Sequence, residues 1–245
     1  MKGEPKLLYN TKIIMTKNRV RVIKTSKQLE VGYEVKEERQ KNDNQDNEKN
    51  DYSYKRALDN LILTIDSNVN YYSKFMTLTF AKTELDYKQA MKKFNQFRQN
   101  FKREFGENLK YSRIAERQKK RGEKENNQGS WHFHIIAYNN QKLSFKRLKK
   151  IWVYGSVDIK KVDYNKNLAL YFGKYFDKQK SDIALNDNLV SHSQGLSRPK
   201  VIYGNDIDAF DNYILTYAKD YIKSNADNPE LSIQFELREY DLTTK

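Results

Sequence analysis

The chain predicts an α+β fold built on a central antiparallel sheet, and three observations carry that prediction. Alternating β-rich runs and apolar stretches of helical period follow one another from Phe75 to Lys180. Two of the runs, Leu109 to Gln118 and Trp131 to Tyr138, flank a basic, glycine-containing stretch and read as a hairpin. The length of 245 residues, with 38% apolar and 13% aromatic side chains, suffices for one sizeable core.

The elements follow in order. Thr11 to Val35 holds two β-branched runs, Ile13-Ile14 and Val20-Arg21-Val22-Ile23, broken at Lys17-Asn18, and reads as a basic hairpin. Glu37 to Asn50 is almost wholly Glu, Lys, Asn, Gln and Asp; with no apolar face to bury, it is expected to be a solvated linker. Residues 51–66 place Leu58, Leu61, Ile62 and Ile65 at three- and four-residue spacing, a helix. Phe75 to Phe80 alternates as a strand. Tyr87 to Phe105 sets Ala90, Met91, Phe94, Phe97, Phe101 and Phe105 at helical period. After the hairpin, Ser144 can cap a helix running through Ile151, Gly155 to Val162 alternates as a strand, and Asn165 to Lys180 is helical. The order from Phe75 is β-α-β-β-α-β-α, a ferredoxin-like unit with an added helix. Farther on, Ser191 to Lys200 reads as a loop, Ala209 to Ser224 as a helix and Leu231 to Tyr240 as a terminal strand. The expected division is a hairpin extension and linker over 1–50, a principal domain over 51–200, and a helix and strand over 201–245 packing on it.

Composition narrows the function. Lys plus Arg number 46 against 32 Asp plus Glu, a net charge of +14, and that field favours an anionic polymer, above all a nucleic acid. Without cysteine there is neither a disulfide nor a thiolate zinc site, so any metal must be held by His and carboxylate. No stretch approaches the length of an apolar span, and the N-terminus lacks an apolar signal region; a cytoplasmic protein with no membrane partner is expected. There is no GxxxxGK[ST] loop, which argues against an ATP-driven helicase module.

Two of the three histidines, His132 and His134, lie one residue apart in Trp131-His132-Phe133-His134-Ile135. Strand periodicity puts both imidazoles on one face. Ile114, Glu116 and Gln118 share one face of the preceding strand, and the hairpin can bring Glu116 beside the histidines, although Glu123 and Glu125 in the loop are also near. Two imidazoles and a carboxylate leave open positions for a phosphate oxygen and water, which suits Mg²⁺ or Mn²⁺, imidazole leaning toward Mn²⁺. His192, alone in its loop, reads as a surface residue.

Downstream, Tyr171, Lys174, Tyr175 and Lys178 fall within one helical arc of about 100°. Leu168, Ala169, Phe172 and Phe176 form an adjoining apolar stripe, so the helix can pack while presenting a Tyr-Lys-Tyr-Lys edge. A phenol is mostly protonated at neutral pH and needs nearby positive charge or a base to act as a nucleophile. Lys174 and Lys178 can supply that charge and stabilise a pentavalent phosphorus transition state. Lys146, Arg147, Lys149, Lys150, Lys160 and Lys161 make the segment from Gln141 to Lys180 strongly basic, and with Arg198 and Lys200 they are the expected phosphate contacts. Trp131, Tyr154 and Tyr203 are aromatic candidates either for stacking unpaired bases or for the core.

Together these residues resemble the HUH endonucleases, named for His-hydrophobic-His, and specifically the rolling-circle replication initiators of phages and plasmids. Phe75-Met76-Thr77-Leu78-Thr79-Phe80 looks like the family's first motif, Trp131-His132-Phe133-His134 its second and Tyr171-Phe172-Gly173-Lys174-Tyr175 its third. Ile151-Trp152-Val153-Tyr154-Gly155 and Gly195-Leu196-Ser197-Arg198-Pro199 further resemble the filamentous-phage gene II group. The resemblance implies an HUH endonuclease core in which Glu116, His132 and His134 bind the ion. It implies that Tyr171 and Tyr175 attack single-stranded or extruded origin DNA, leaving a 5′-phosphotyrosine and a free 3′-OH. A host helicase would then be a partner. Relaxases and single-strand transposases use the same chemistry, but a relaxase usually carries its tyrosine ahead of the histidines. The rival reading is a non-catalytic basic DNA-binding protein with a degenerate HUH fold.

Overall fold

The computed structural model describes residues 7–31, 45–82, 84, 86–119, 128–138, 142–162, 171–172, 189–205, 220–228 and 233–242. They form a mixed α+β protein with two antiparallel five-stranded sheets in two compact units, one of residues 1–46 and 198–245, the other of residues 47–197. Among the described residues no helix is long and apolar enough to cross a membrane.

In the first unit, β1 (Leu8–Met15) and β2 (Arg19–Glu30) make the expected hairpin. Thr16 closes its turn: its Oγ1 accepts from Arg19 N at 2.9 Å, and its N–H donates to Arg19 O at 2.8 Å. The hairpin is the middle of a sheet ordered β8-β1-β2-β10-β9, with β8 (Lys200–Gly204), β9 (Asp220–Asn228) and β10 (Ile233–Asp241). Ile13, Val20, Val22 and Tyr240 form its buried cluster. The terminal strand appears as expected. The helix read over Ala209 to Ser224 is corrected at its end, because Asp220 to Ser224 is strand; residues 209–219 lie outside the described residues. Tyr221 and Ile222 suit either state, and pairing with β10, Tyr221 opposite Tyr240, decides for the sheet.

The second unit opens with α1 (Gln45–Asn68), which buries Leu61, Ile62 and Ile65. The polar stretch expected to be linker through Asn50 is thus helical from Gln45. Its Glu, Gln and Lys are good helix formers, so a helix nucleated by the apolar half extends through them without a buried face. Then come β3 (Lys74–Phe80), α2 (Tyr87–Phe105), β4 (Tyr111–Lys119), β5 (Gln128–Ala137), α3 (Phe145–Ile151), β6 (Gly155–Lys161) and β7 (Val190–His192). Asp86 caps α2 by accepting from Lys88 N and Gln89 N, and Gly106 ends it at φ +79° with its N–H on Lys102 O. Ser144 caps α3, as expected.

The strands order as β6-β3-β5-β4-β7. Met76, Leu78, Phe80, Phe133 and Ile135 face one side, where α2 buries Ala90, Phe94, Phe97 and Phe101 and α3 adds Leu148 and Ile151. Phe75, Ile114 and Ile136 face the other, under Leu61, Ile65 and Val69 and the buried Phe172. β7 lies within the segment expected to be a loop: three edge residues carry too little periodicity to read, and their pairing with β4 defines the strand.

β6 begins at Gly155 because nothing larger fits. A Cβ there would sit 2.0 Å from Thr79 O and 2.5 Å from Ala81 N, both backbone atoms. Gly155→Ala should therefore push β6 off β3 beside Thr79 and destabilise the protein by about 1–3 kcal/mol, measured as a lower urea midpoint. An unchanged midpoint would refute the close approach.

Candidate functional site

Pleating sends His132 and His134 of β5 to the face opposite Phe133, and strand register sets their neighbours. His134 lies between Ile114 of β4 and Thr77 of β3; His132 lies between Glu116 and Thr79. Thr77 Oγ1 is 3.3 Å from His134 Nδ1, and Thr79 Oγ1 is 3.1 Å from His132 Nδ1. Each threonine hydroxyl holds one ring nitrogen and leaves Nε2 for chemistry. Sequence reasoning misses these two threonines, although the alternation of β3 already sets them on one face. His134 Nε2 in turn lies 2.5 Å from Glu116 Oε2, so the structure brings Glu116, His132 and His134 together. Glu123 and Glu125 lie outside the described residues.

Burial of His132 lowers its pKa below the ordinary histidine value, His134 adds to that effect, and Glu116 opposes it. Its neutral form, the one that offers a lone pair, is thereby favoured. As the side chains stand, no group of three or more His, Asp or Glu among the described residues forms a metal-holding set. The Glu116–His134 hydrogen bond takes up a carboxylate oxygen and the Nε2 that an ion would use. The donor chemistry nonetheless fits a divalent ion, with two imidazoles fixed through Nδ1 and a carboxylate beside them.

Tyr171 is half exposed, while its neighbour Phe172 is fully buried, and both residues are helical. Phe75 links them to the histidines: its ring centroid lies 6.1 Å from Tyr171, 5.9 Å from Phe172 and 6.1 Å from His134. Tyr171 thus stands at the His134 side of the same sheet face. Tyr175, Lys174 and Lys178 lie outside the described residues.

The basic candidates divide. Lys160, opposite Phe75 in register, shares the histidine face; Lys161, opposite Lys74, is on the other. Lys146, Arg147, Lys149 and Lys150 belong to α3, which packs on the face away from the histidines. There Arg147 and Lys150 bind Glu104, at 3.1 and 2.8 Å. Arg198 and Lys200 belong to the other unit. Trp131 is core, beneath Tyr87 at 4.9 Å. Tyr154 is partly buried against Trp152 at 5.2 Å, and Tyr203 stands edge-on to Tyr9 at 4.7 Å.

His192, expected in a loop, sits at the end of β7 with its Nδ1 2.8 Å from Ser112 Oγ, which also meets Tyr138 Oη at 2.6 Å. It remains an exposed residue, yet desolvation lowers its pKa. The folded state then resists protonation that the unfolded chain accepts, so stability falls as pH drops through 6.5 toward the lower folded value. His132 contributes in the same direction. His192→Asn should therefore reduce, without abolishing, the fall in melting temperature between about pH 7 and 5; an identical fall would show that His192 does not titrate with folding.

Paired imidazoles, a carboxylate and an exposed tyrosine on one sheet face of a basic chain define a protein equipped to work on nucleic acid, and the span that carries them, residues 73–180, matches the model of a replication protein family. It is the family of replication-associated proteins that takes in ORF2 and the filamentous-phage gene II replication protein, and the chain belongs to it through this segment. The gene II resemblance read from the motifs is borne out over that span. No curated protein and no solved structure matches the chain.

Proposed function

We propose that this protein is a rolling-circle replication initiator that nicks single-stranded or extruded origin DNA through a covalent 5′-phosphotyrosine. The observation that carries the reading is the convergence, within the family-matched segment, of Glu116, His132 and His134 with Tyr171 on one sheet face. The strand order β6-β3-β5-β4, with α2 and α3 on the opposite face, supports a ferredoxin-like HUH core.

In the proposed step the phenolic oxygen of Tyr171 or Tyr175 loses its proton and attacks the scissile phosphorus. The bond from phosphorus to the 3′ oxygen breaks, and that oxygen leaves as a 3′-OH after gaining a proton. Glu116, His132 and His134 would hold Mg²⁺ or Mn²⁺, which supplies Lewis-acid polarisation of the phosphate. Thr77 and Thr79 orient the imidazoles through Nδ1. Lys160 adds positive charge on this face, and Lys174 and Lys178 would add it along the tyrosine helix. Duplex unwinding falls to a host helicase.

The test is to incubate labelled single-stranded origin DNA with the protein and either metal and look for an adduct that survives SDS. An adduct with both a free 3′-OH and a tyrosine-linked 5′ end is expected. DNA binding with no adduct under either metal would overturn the nickase and leave a non-catalytic DNA-binding protein.

A further inference from the structure

Between α1 and β3 the chain turns through Asn70 to Ser73 and holds two tyrosines outward. The turn is tightly bonded. Ser73 N donates to Asn70 O at 3.0 Å, Tyr72 N to Asn70 Oδ1 at 3.0 Å, and Asn70 N to Ser73 Oγ at 3.0 Å. Its flanks are anchored in the unit, Val69 at 3% exposure and Ser73 at 0%. Yet Tyr71 is 54% and Tyr72 45% exposed, with ring centroids 5.5 Å apart at 83°. A fixed turn that leaves two large rings half in water forfeits burial that a core position would have provided.

Cations surround the pair. Lys161 Nζ lies 3.8 Å from the Tyr71 ring centroid, Lys74 is opposite Lys161 in register, and Lys160 is the neighbour on β6. Asp158 meets Lys160 at 3.2 Å. Aromatic faces interleaved with ammonium groups match a strand that offers unpaired bases on a phosphate backbone. Paired duplex bases are stacked on one another and offer no such faces. The location also fits: Phe75, which touches Tyr171, is four residues along the same strand from Tyr71.

We propose that Tyr71 and Tyr72 form a base-stacking platform that grips single-stranded DNA beside the tyrosine end of the site. This rests on the proposed nicking reaction for the identity of the strand and for nothing else. It replaces Trp131, which the sequence offered for this role and the fold buries.

The test measures anisotropy of a labelled, mixed-sequence single-stranded oligonucleotide bound to the full chain without metal. Replacing both tyrosines by alanine (Y71A/Y72A) should weaken binding about tenfold or more, while Y71F/Y72F, which keeps the rings, should stay within about twofold. The same sequence as a duplex should lose little. A strand carrying 5-iodouracil, irradiated on the wild-type protein, should crosslink to Tyr71 or Tyr72, a readout independent of how the alanine variant folds. Unchanged affinity in Y71A/Y72A, equal loss for duplex, or crosslinks only elsewhere would overturn the platform, including in favour of a protein-docking role for these rings. The two proposals fail separately. A wild-type protein that crosslinks through these tyrosines but makes no SDS-stable adduct keeps the platform and loses the nickase. One that makes the adduct while Y71A/Y72A binds normally keeps the nickase and loses the platform.

Discussion

Replacing Tyr171 and Tyr175 together by phenylalanine should lower formation of the SDS-stable adduct by roughly 10³-fold or more, because the hydroxyl oxygen is the atom that would bond phosphorus. Little else should change. The ring of residue 171 would still stand against Phe75, and its half-exposed position predicts a stability change within about 0.5 kcal/mol. DNA binding should also persist, since backbone electrostatics supply most of it. The single variants divide the roles: whichever one blocks the first nick carries the primary nucleophile, and the other is left to act on the regenerated origin. A double variant that still forms the adduct would sink both assignments.

His132→Ala should reduce metal-dependent cleavage about 10²–10⁴-fold while leaving salt-sensitive DNA binding largely intact. His132 is the cleaner target of the two. His134 has only 8% of its side chain exposed and is bonded to Glu116, so removing it would also leave a buried carboxylate without that partner. A second readout needs no DNA. An ion bound only by the folded state raises the melting temperature with concentration, so a rise on adding Mn²⁺ should be present in the wild type and largely absent in His132→Ala. Thr79→Val should give an intermediate phenotype, about 10–100-fold weaker metal affinity, by removing the hydroxyl that holds His132 Nδ1. If the wild type shows no metal-dependent rise, or His132→Ala cleaves normally, the metal reading fails.

Much of the second unit was legible because its signals are local and strong. α2 carries phenylalanines at helical spacing between an Asp cap and a Gly stop, and it runs over the expected residues, Tyr87–Phe105. The hairpin of β4 and β5 was legible from its alternation, and with it the placement of Glu116 across from His132. The six residues from Gln45 and the strand from Asp220 were misread. A polar helix extension and a strand of mixed propensity take their state from what they are joined to. Neighbouring strands likewise decided that Val190–His192 is a strand.

The sequence by itself determined the periods: which residues share a face of β5, which face of α2 is apolar, and that the charge balance suits a polyanion. It also carried the family, since the motifs are contiguous stretches of chain. Only the tertiary structure decided which faces meet. It set Thr77 and Thr79 behind the histidines, put Tyr171 against Phe75, sent the α3 cations to the far side of the sheet, and left Tyr71 and Tyr72 in water while burying Trp131. The reason is physical: periodicity is a property of one segment, whereas burial and contact are properties of pairs of segments, and strand order and register are what create the pairs.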